Sequence, residues 1–210
     1  MPVVETGALL PIVEPDPVEA KLPWSIAMDV PFSPQSPFGN WDDPYQEACE
    51  EMSLIMVERF LNKAGLTREE ADTELLRLVA WQEANGYGMD VNIEQLAKIA
   101  EDFYGLTVEV RTDVTEESIK AELAAGNPVI LPVAGRELGN PYFSGEGPWY
   151  HMLVVTGYDW NSFITNEPGT KRGEDYEYSF DVLLNAVHDW TGVKEEIAQG
   201  RKVMLILEKP

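Results

Sequence analysis

Two residues in this chain have the type and placement for thiol chemistry: Cys49, the only cysteine among 210 residues, and His151, one of two histidines. A thiol hydrolase needs a nucleophile whose thiolate is populated, a base within hydrogen-bond reach, and a group fixing the tautomer of that base. It also needs donors aimed at the developing oxyanion. Taken alone, Cys49 shares a helical face with Met52, Met56 and Phe60, which suits a buried core thiol better than a nucleophile. Taken alone, His151 suits a structural histidine at a strand end as well as it suits a base. Their company shifts the weight. Gln35 stands upstream of Cys49 in a loop held by prolines, His151 follows a glycine-rich stretch, and the acid-amide pair Asn166-Glu167 closes the next strand-like segment. His188, beside Asp189 after an apolar run, receives only a surface role.

The elements that must position these groups follow from hydrophobic periodicity. Residues 1–28, with Pro11, Pro15, Pro17 and Pro23, read as an extended N-terminal arm, because prolines at that density prevent a continuous helix. Residues 29–210 read as one domain. From about residue 45, Met52, Ile55, Met56 and Phe60 recur at helical spacing and predict a helix ending near Gly65. Further helices are expected over 68–84, 92–104 and 115–125, each followed by a glycine-containing stop, with a short strand at 107–111. The second half is strand-like: an apolar run at 129–133, a Gly/Pro-rich loop at 135–148, strands at 151–158 and 163–166, a helix near 180–190 and a last strand at 203–208. Helices first and an antiparallel sheet afterwards give an α+β layout. In an antiparallel hairpin the start of one strand lies beside the end of the next, so Glu167 or Asn166 can reach the His151 ring. Adjacent strand residues point to opposite faces, so one of the two is expected to do so; the spacing favours Glu167, with Asn166 in reserve.

One tension concerns the thiol. Asp43-Pro44 is a helix-opening pair, and a helix beginning there would put Cys49 in its second turn, where the macrodipole supports a thiolate little. Glu50 and Glu51 would also oppose ionisation, so the thiolate requires His151 as an imidazolium partner.

Composition excludes several other functions. With 15 Lys and Arg against 37 Asp and Glu, the formal charge is −22, a surface that repels phosphate backbones and anionic lipid. Nucleic-acid and membrane partners are therefore not expected. No apolar run is long enough to span a bilayer, and the start of the chain lacks the basic-then-apolar layout of a secretory signal. A cytoplasmic protein, or a secreted one whose signal is absent from this chain, fits equally. One cysteine permits no internal disulfide, and a zinc site would consume Cys49 and both histidines, so neither metal nor organic cofactor is expected.

The stretch Val30-Pro31-Phe32-Ser33-Pro34-Gln35, then Asn40-Trp41, then Glu47-Ala48-Cys49-Glu50 with Ser53-Leu54, resembles the nucleophile region of bacterial bacteriocin-processing (double-glycine leader) peptidase-like proteins, which belong to the papain superfamily. His151-Met152-Leu153-Val154-Val155-Thr156-Gly157-Tyr158, followed by Ile164-Thr165-Asn166-Glu167-Pro168-Gly169-Thr170, is similar to the histidine and Asp-Pro motifs of that family. The resemblance covers about residues 30–180 and implies a papain-like cysteine peptidase fold. It implies Gln35 as oxyanion donor, Cys49 as nucleophile and His151 as base. Glu167 stands where the family usually has aspartate, one methylene longer, and Asn166 beside it offers an amide of the papain type. The expected reaction is hydrolysis of a peptide or amide bond through an acyl-enzyme, on a peptide or peptide-like substrate, with Trp41, Trp149, Tyr150 and Tyr142 lining the cleft. The alternative is a catalytically inactive papain-like domain that binds a peptide or cell-wall fragment.

Overall fold

A computed structural model describes residues 22–210; most of the proline-rich arm read over residues 1–28 therefore lies outside the described residues. Of that stretch, Ile26–Ala27 forms a two-residue strand, β1, paired antiparallel with the far end of β4. Gly157 permits the approach: a Cβ there would fall 2.2 Å from the Ile26 carbonyl oxygen.

Four helices dominate the first half: α1 (Cys49–Leu61), α2 (Arg68–Ala84), α3 (Ile93–Tyr104) and α4 (Glu116–Ala125), with β2 (Thr107–Arg111) between the last two. Their ends have local causes. Thr67, Asn92 and Thr115 each close a reciprocal capping box with the third helical residue, and Gly105 and Gly126 end α3 and α4 in the left-handed conformation. The start of α1 departs from expectation. A single 3-10 turn, Tyr45–Glu47, takes up the chain after Pro44, and Ala48 breaks it at φ −105° and ψ 31°. The α-helix therefore begins at Cys49, not near Tyr45, and the thiol sits in the first turn.

The second half supplies β3 (Val129–Ala134), β4 (Tyr150–Tyr158), β5 (Ser162–Asn166), β6 (Tyr176–Ser179), α5 (Phe180–Ala186) and β7 (Met204–Glu208). All pairings are antiparallel, in the order β2-β7-β3-β4-β5-β6. The short β6 was not anticipated, and the helix expected to reach residue 190 stops at Ala186. There Val187 turns extended and bridges Val133. His188 is half-buried rather than on the surface, and its Nδ1 is 2.8 Å from the Gly200 carbonyl.

Strand alternation divides the interior in two. Ile130, Met152, Val154, Leu205 and Leu207 face α1, α2 and α3; Leu131, Leu153, Val155, Met204 and Ile206 face α4 and α5. The result is an α+β domain in which an antiparallel sheet, its central strands β3 and β4 buried along their whole length, lies between two groups of helices. Helix α1 is enclosed on every side: all residues from Cys49 to Val57 are buried, Glu50 and Glu51 included. Among the described residues no helix is long and apolar enough to cross a membrane.

Candidate active site

Cys49 opens α1 on the first core face, while His151, by alternation, belongs to the β4 face of Leu153 and Val155. The two can meet only at the end of β4, and there a cleft of about 1170 Å³ is lined by Cys49, His151 and Gln35 together. The backbone N–H of Met152, next along from His151, lies near enough to the Cys49 sulfur to favour its thiolate. The first N–H groups of α1 have no intrahelical acceptor, and Ala48 offers no side-chain cap, so the Cys49 N–H is available to a ligand.

The histidine is tightly held. Its Nε2 hydrogen-bonds Glu167 Oε1, which also accepts the Gly169 N–H at 2.8 Å. Glu167 Oε2 accepts the Tyr178 hydroxyl at 3.0 Å, and that hydroxyl in turn accepts from Asn140 Nδ2 at 2.7 Å. With Nε2 committed, Nδ1 is the ring nitrogen without a partner. Gly169 is needed for this packing, since a Cβ there would come within 3.1 Å of His151 Cε1 and 3.0 Å of Glu167 Oε1. The Phe143 ring abuts the imidazole edge-on, with centroids 5.5 Å apart. Asn166 points elsewhere, its amide donating to the Val30 carbonyl at 2.9 Å. That bond and the Gln35 N–H to the Pro168 carbonyl, at 2.9 Å, tie the Gln35 loop to the segment carrying Glu167.

Gln35 is buried, and its Nε2 donates to the Tyr45 and Gln46 carbonyls, both at 2.9 Å, which occupies both amide hydrogens. Its Oε1 is buried without a donor. Trp41, Trp149 and Tyr142 line the cleft and are exposed to it; Arg136 stacks on the Trp149 ring at 3.6 Å and Arg172 on Tyr142 at 4.7 Å. Tyr150 also borders the cleft, but it is mostly core, with its hydroxyl donating to the Val91 carbonyl at 3.0 Å.

Electrostatics around the sulfur are unfavourable to a lone thiolate. Burial, then the Glu50 carboxylate, push the Cys49 thiol well above its ordinary value, with the Met152 N–H opposing. Burial, then Glu51, push Glu50 up as well. The Cys49 thiol donates to Glu50 Oε2 at 3.0 Å, and Glu50 Oε1 accepts the Val91 N–H at 3.3 Å. The sequence marks Glu50 only as a charge opposing ionisation and does not single out Tyr178. Two adjacent glutamates at the head of a mostly apolar nine-residue helical stretch, 49–57, are the available signal for Glu50, and the alternation Tyr176-Glu177-Tyr178-Ser179 is the signal for Tyr178. Among the described residues no group of three or more His, Cys, Asp or Glu is arranged to hold a metal ion.

The profile of the Peptidase_C39 like family matches residues 27–203. A provisionally assigned C39-like peptidase from Bacillus anthracis has a crystal structure that superposes with a TM-score of 0.59 at 15% identity, over 89% of this chain and 98% of that one. Xylellain, a cysteine protease from Xylella fastidiosa, is a looser match, with a TM-score of 0.43 at 14% identity over 90% of this chain and 87% of that one. No curated protein is significantly similar to this chain in sequence.

Proposed function

Because this chain belongs to the Peptidase_C39 like family of papain-like cysteine peptidases, we propose that it cleaves a peptide or amide bond through an acyl-enzyme on Cys49. The supporting observation is the ring orientation of His151: Glu167 holds Nε2, which leaves Nδ1 as the free base in the cleft that Cys49 also lines. In this reading the sulfur attacks the substrate carbonyl carbon as the thiol gives up its proton to His151 Nδ1. The tetrahedral oxyanion accepts from the Cys49 backbone N–H and from Gln35 Nε2, which first releases one of its two carbonyl acceptors. The His151 imidazolium protonates the leaving amine, and the neutral ring then takes a proton from the water that hydrolyses the thioester. Glu167 fixes the tautomer and stabilises the imidazolium, as the acidic member of a triad does. The aromatic walls at Trp41, Trp149 and Tyr142 suit a peptide-like substrate laid across the cleft.

The experiment is turnover of a peptide library read by mass spectrometry, with iodoacetamide labelling of Cys49 alongside. Cleavage by the wild type, lost in Cys49→Ala and His151→Ala, is the expected result. A folded wild type that cleaves nothing and whose Cys49 resists labelling at every pH would overturn the reading. Peptide binding retained by Cys49→Ala without wild-type turnover would instead assign the cleft to recognition alone.

A further inference from the structure

The buried carboxyl of Glu50 touches the reacting sulfur, and the triad has no use for it. It is 1% exposed, does not line the cleft, and is fixed by two bonds, one from the Cys49 thiol at 3.0 Å and one from the Val91 N–H at 3.3 Å. The Val91 peptide is itself anchored, because its carbonyl accepts the Tyr150 hydroxyl at 3.0 Å. An isolated carboxylate so placed would be costly, and a thiolate beside it costlier still. The cost is avoided if the two groups share one proton and one negative charge.

We propose that Glu50 is a second acceptor for the Cys49 thiol proton, so that nucleophile and carboxyl form a dyad behind the triad. The proposal rests on the peptidase reading of the cleft for its purpose but not for its chemistry. In the step, the S–H bond breaks, an O–H bond forms on Glu50 Oε2, and the negative charge moves from carboxylate to sulfur. No net charge is created, so both sides of the transfer carry one buried charge. When the acyl group leaves Cys49, the regenerated thiolate takes the proton back. His151 draws its own proton from solvent and keeps it for the leaving amine.

The groups that face Glu50 decide where the charge rests. From α1 there are Cys49 and Glu51, from the loop before α3 there is Asp90, and from β4 there is Tyr150. Glu51 acts on both members of the dyad, whereas Asp90 acts on Glu50 and drives charge from it toward the sulfur. The nearby Met152 N–H favours the same displacement. The Val91 N–H and the backbone N–H of Glu50 itself pull the other way. Interacting sites of this kind titrate as a pair, and the singly protonated pair is the reactive one.

The test is the pH dependence of Cys49 alkylation by iodoacetamide in the full chain. Glu50→Gln keeps the shape, and its carbonyl oxygen can still accept the Val91 N–H, but the amide nitrogen that replaces Oε2 can neither accept from the thiol nor take its proton. The substitution is expected to lower the rate at neutral pH by roughly a hundredfold, the low end of a general base's contribution, and to move the midpoint to higher pH. If Glu50 were only a like charge opposing the thiolate, the same substitution would speed alkylation and lower the midpoint; that result, or an unchanged profile, overturns the proposal. Should Glu50→Gln fail to fold, the thiolate ultraviolet absorbance of His151→Ala decides. A thiolate that still forms in the neutral range supports the dyad, and its loss overturns it. The readout needs no substrate, so a wild type with this alkylation profile and no peptide turnover would overturn the peptidase reading while leaving the dyad standing.

Discussion

On the His151 side of the cleft Glu167 spends both carboxylate oxygens, on the imidazole and the Gly169 N–H and on the Tyr178 hydroxyl, and Asn140 backs the hydroxyl in turn. On the Cys49 side the accounts do not close: Gln35 Oε1, Glu51 Oε2, the Ser53 hydroxyl and both amide atoms of Gln82 are buried without partners. Gln82 lies close to Glu51 yet outside hydrogen-bond geometry. The base is thus held on a sheet by a network that leaves only His151 Nδ1 free, while the nucleophile sits on a buried helix among groups that gain from a change of charge or rotamer. A satisfied polar network fixes one geometry, whereas a half-satisfied one leaves room for movement during turnover. Substitutions on the first side are expected to cost activity through lost orientation. Those on the second are expected to change how the protein responds to pH.

The largest effect is expected at Glu167. Glu167→Gln removes the negative charge opposite the imidazolium while keeping the side-chain volume, and should reduce turnover by about a hundredfold or more with the fold intact. Glu167→Asp, which restores the residue usual in the family, should also lose activity. The carboxylate reaches Nε2 from the first position beyond β5, and a side chain one methylene shorter withdraws from it. Peptide turnover in the two variants, with circular dichroism to confirm folding, checks both. Full activity in Glu167→Asp would show that the extra methylene is not what closes the gap.

Tyr178→Phe is the intermediate case. Its hydroxyl bridges Glu167 and Asn140 in a buried setting, so removing it strands two polar groups and should cost roughly 1–3 kcal/mol of stability. Turnover should fall less than in Glu167→Gln, because the Gly169 N–H still holds Glu167 Oε1. A shift in urea midpoint larger than the change in turnover is the expected signature, and the reverse would mean that the base side is less rigid than its bonding implies.

The same contrast explains what could be read in the sequence. The base half is local: His151 and Glu167 belong to one hairpin, so strand pairing brings Asn166 and Glu167 near the ring, but it is the register shift between Val155 and Gly157 that puts Glu167 on the His151 face and turns Asn166 to Val30. The nucleophile half is tertiary. Periodicity marked one apolar face on α1, but the sheet, α2 and α3 enclose the helix all round, which carries Glu50 and Glu51 inside. Asp43-Pro44 suggested a helix start that the intervening 3-10 turn displaces to Cys49, and no sequence rule separates a continuous helix from that break. The commitment of both Gln35 amide hydrogens to Tyr45 and Gln46 depends on how that turn lies over the loop, so it too was invisible.

The effect most specific to the nucleophile side, smallest in turnover because it falls on stability alone, concerns Glu51. Burial pushes its carboxyl up from 4.5 to about 7. The folded chain therefore holds this proton over a range in which the unfolded chain has released it. Stability must then fall as pH rises from the ordinary carboxylate range to about 7, and level off above, by up to about 3 kcal/mol for a shift of this size. Glu50 moves in the same direction and adds to the slope. In Glu51→Gln the urea midpoint at about pH 8 should rise relative to wild type while that at about pH 5 changes little, leaving the shallower slope due to Glu50. Parallel pH profiles for variant and wild type would mean that Glu51 finds water or a partner in solution, and the contrast between the two sides of the cleft would then rest on Gln35 and the dyad alone.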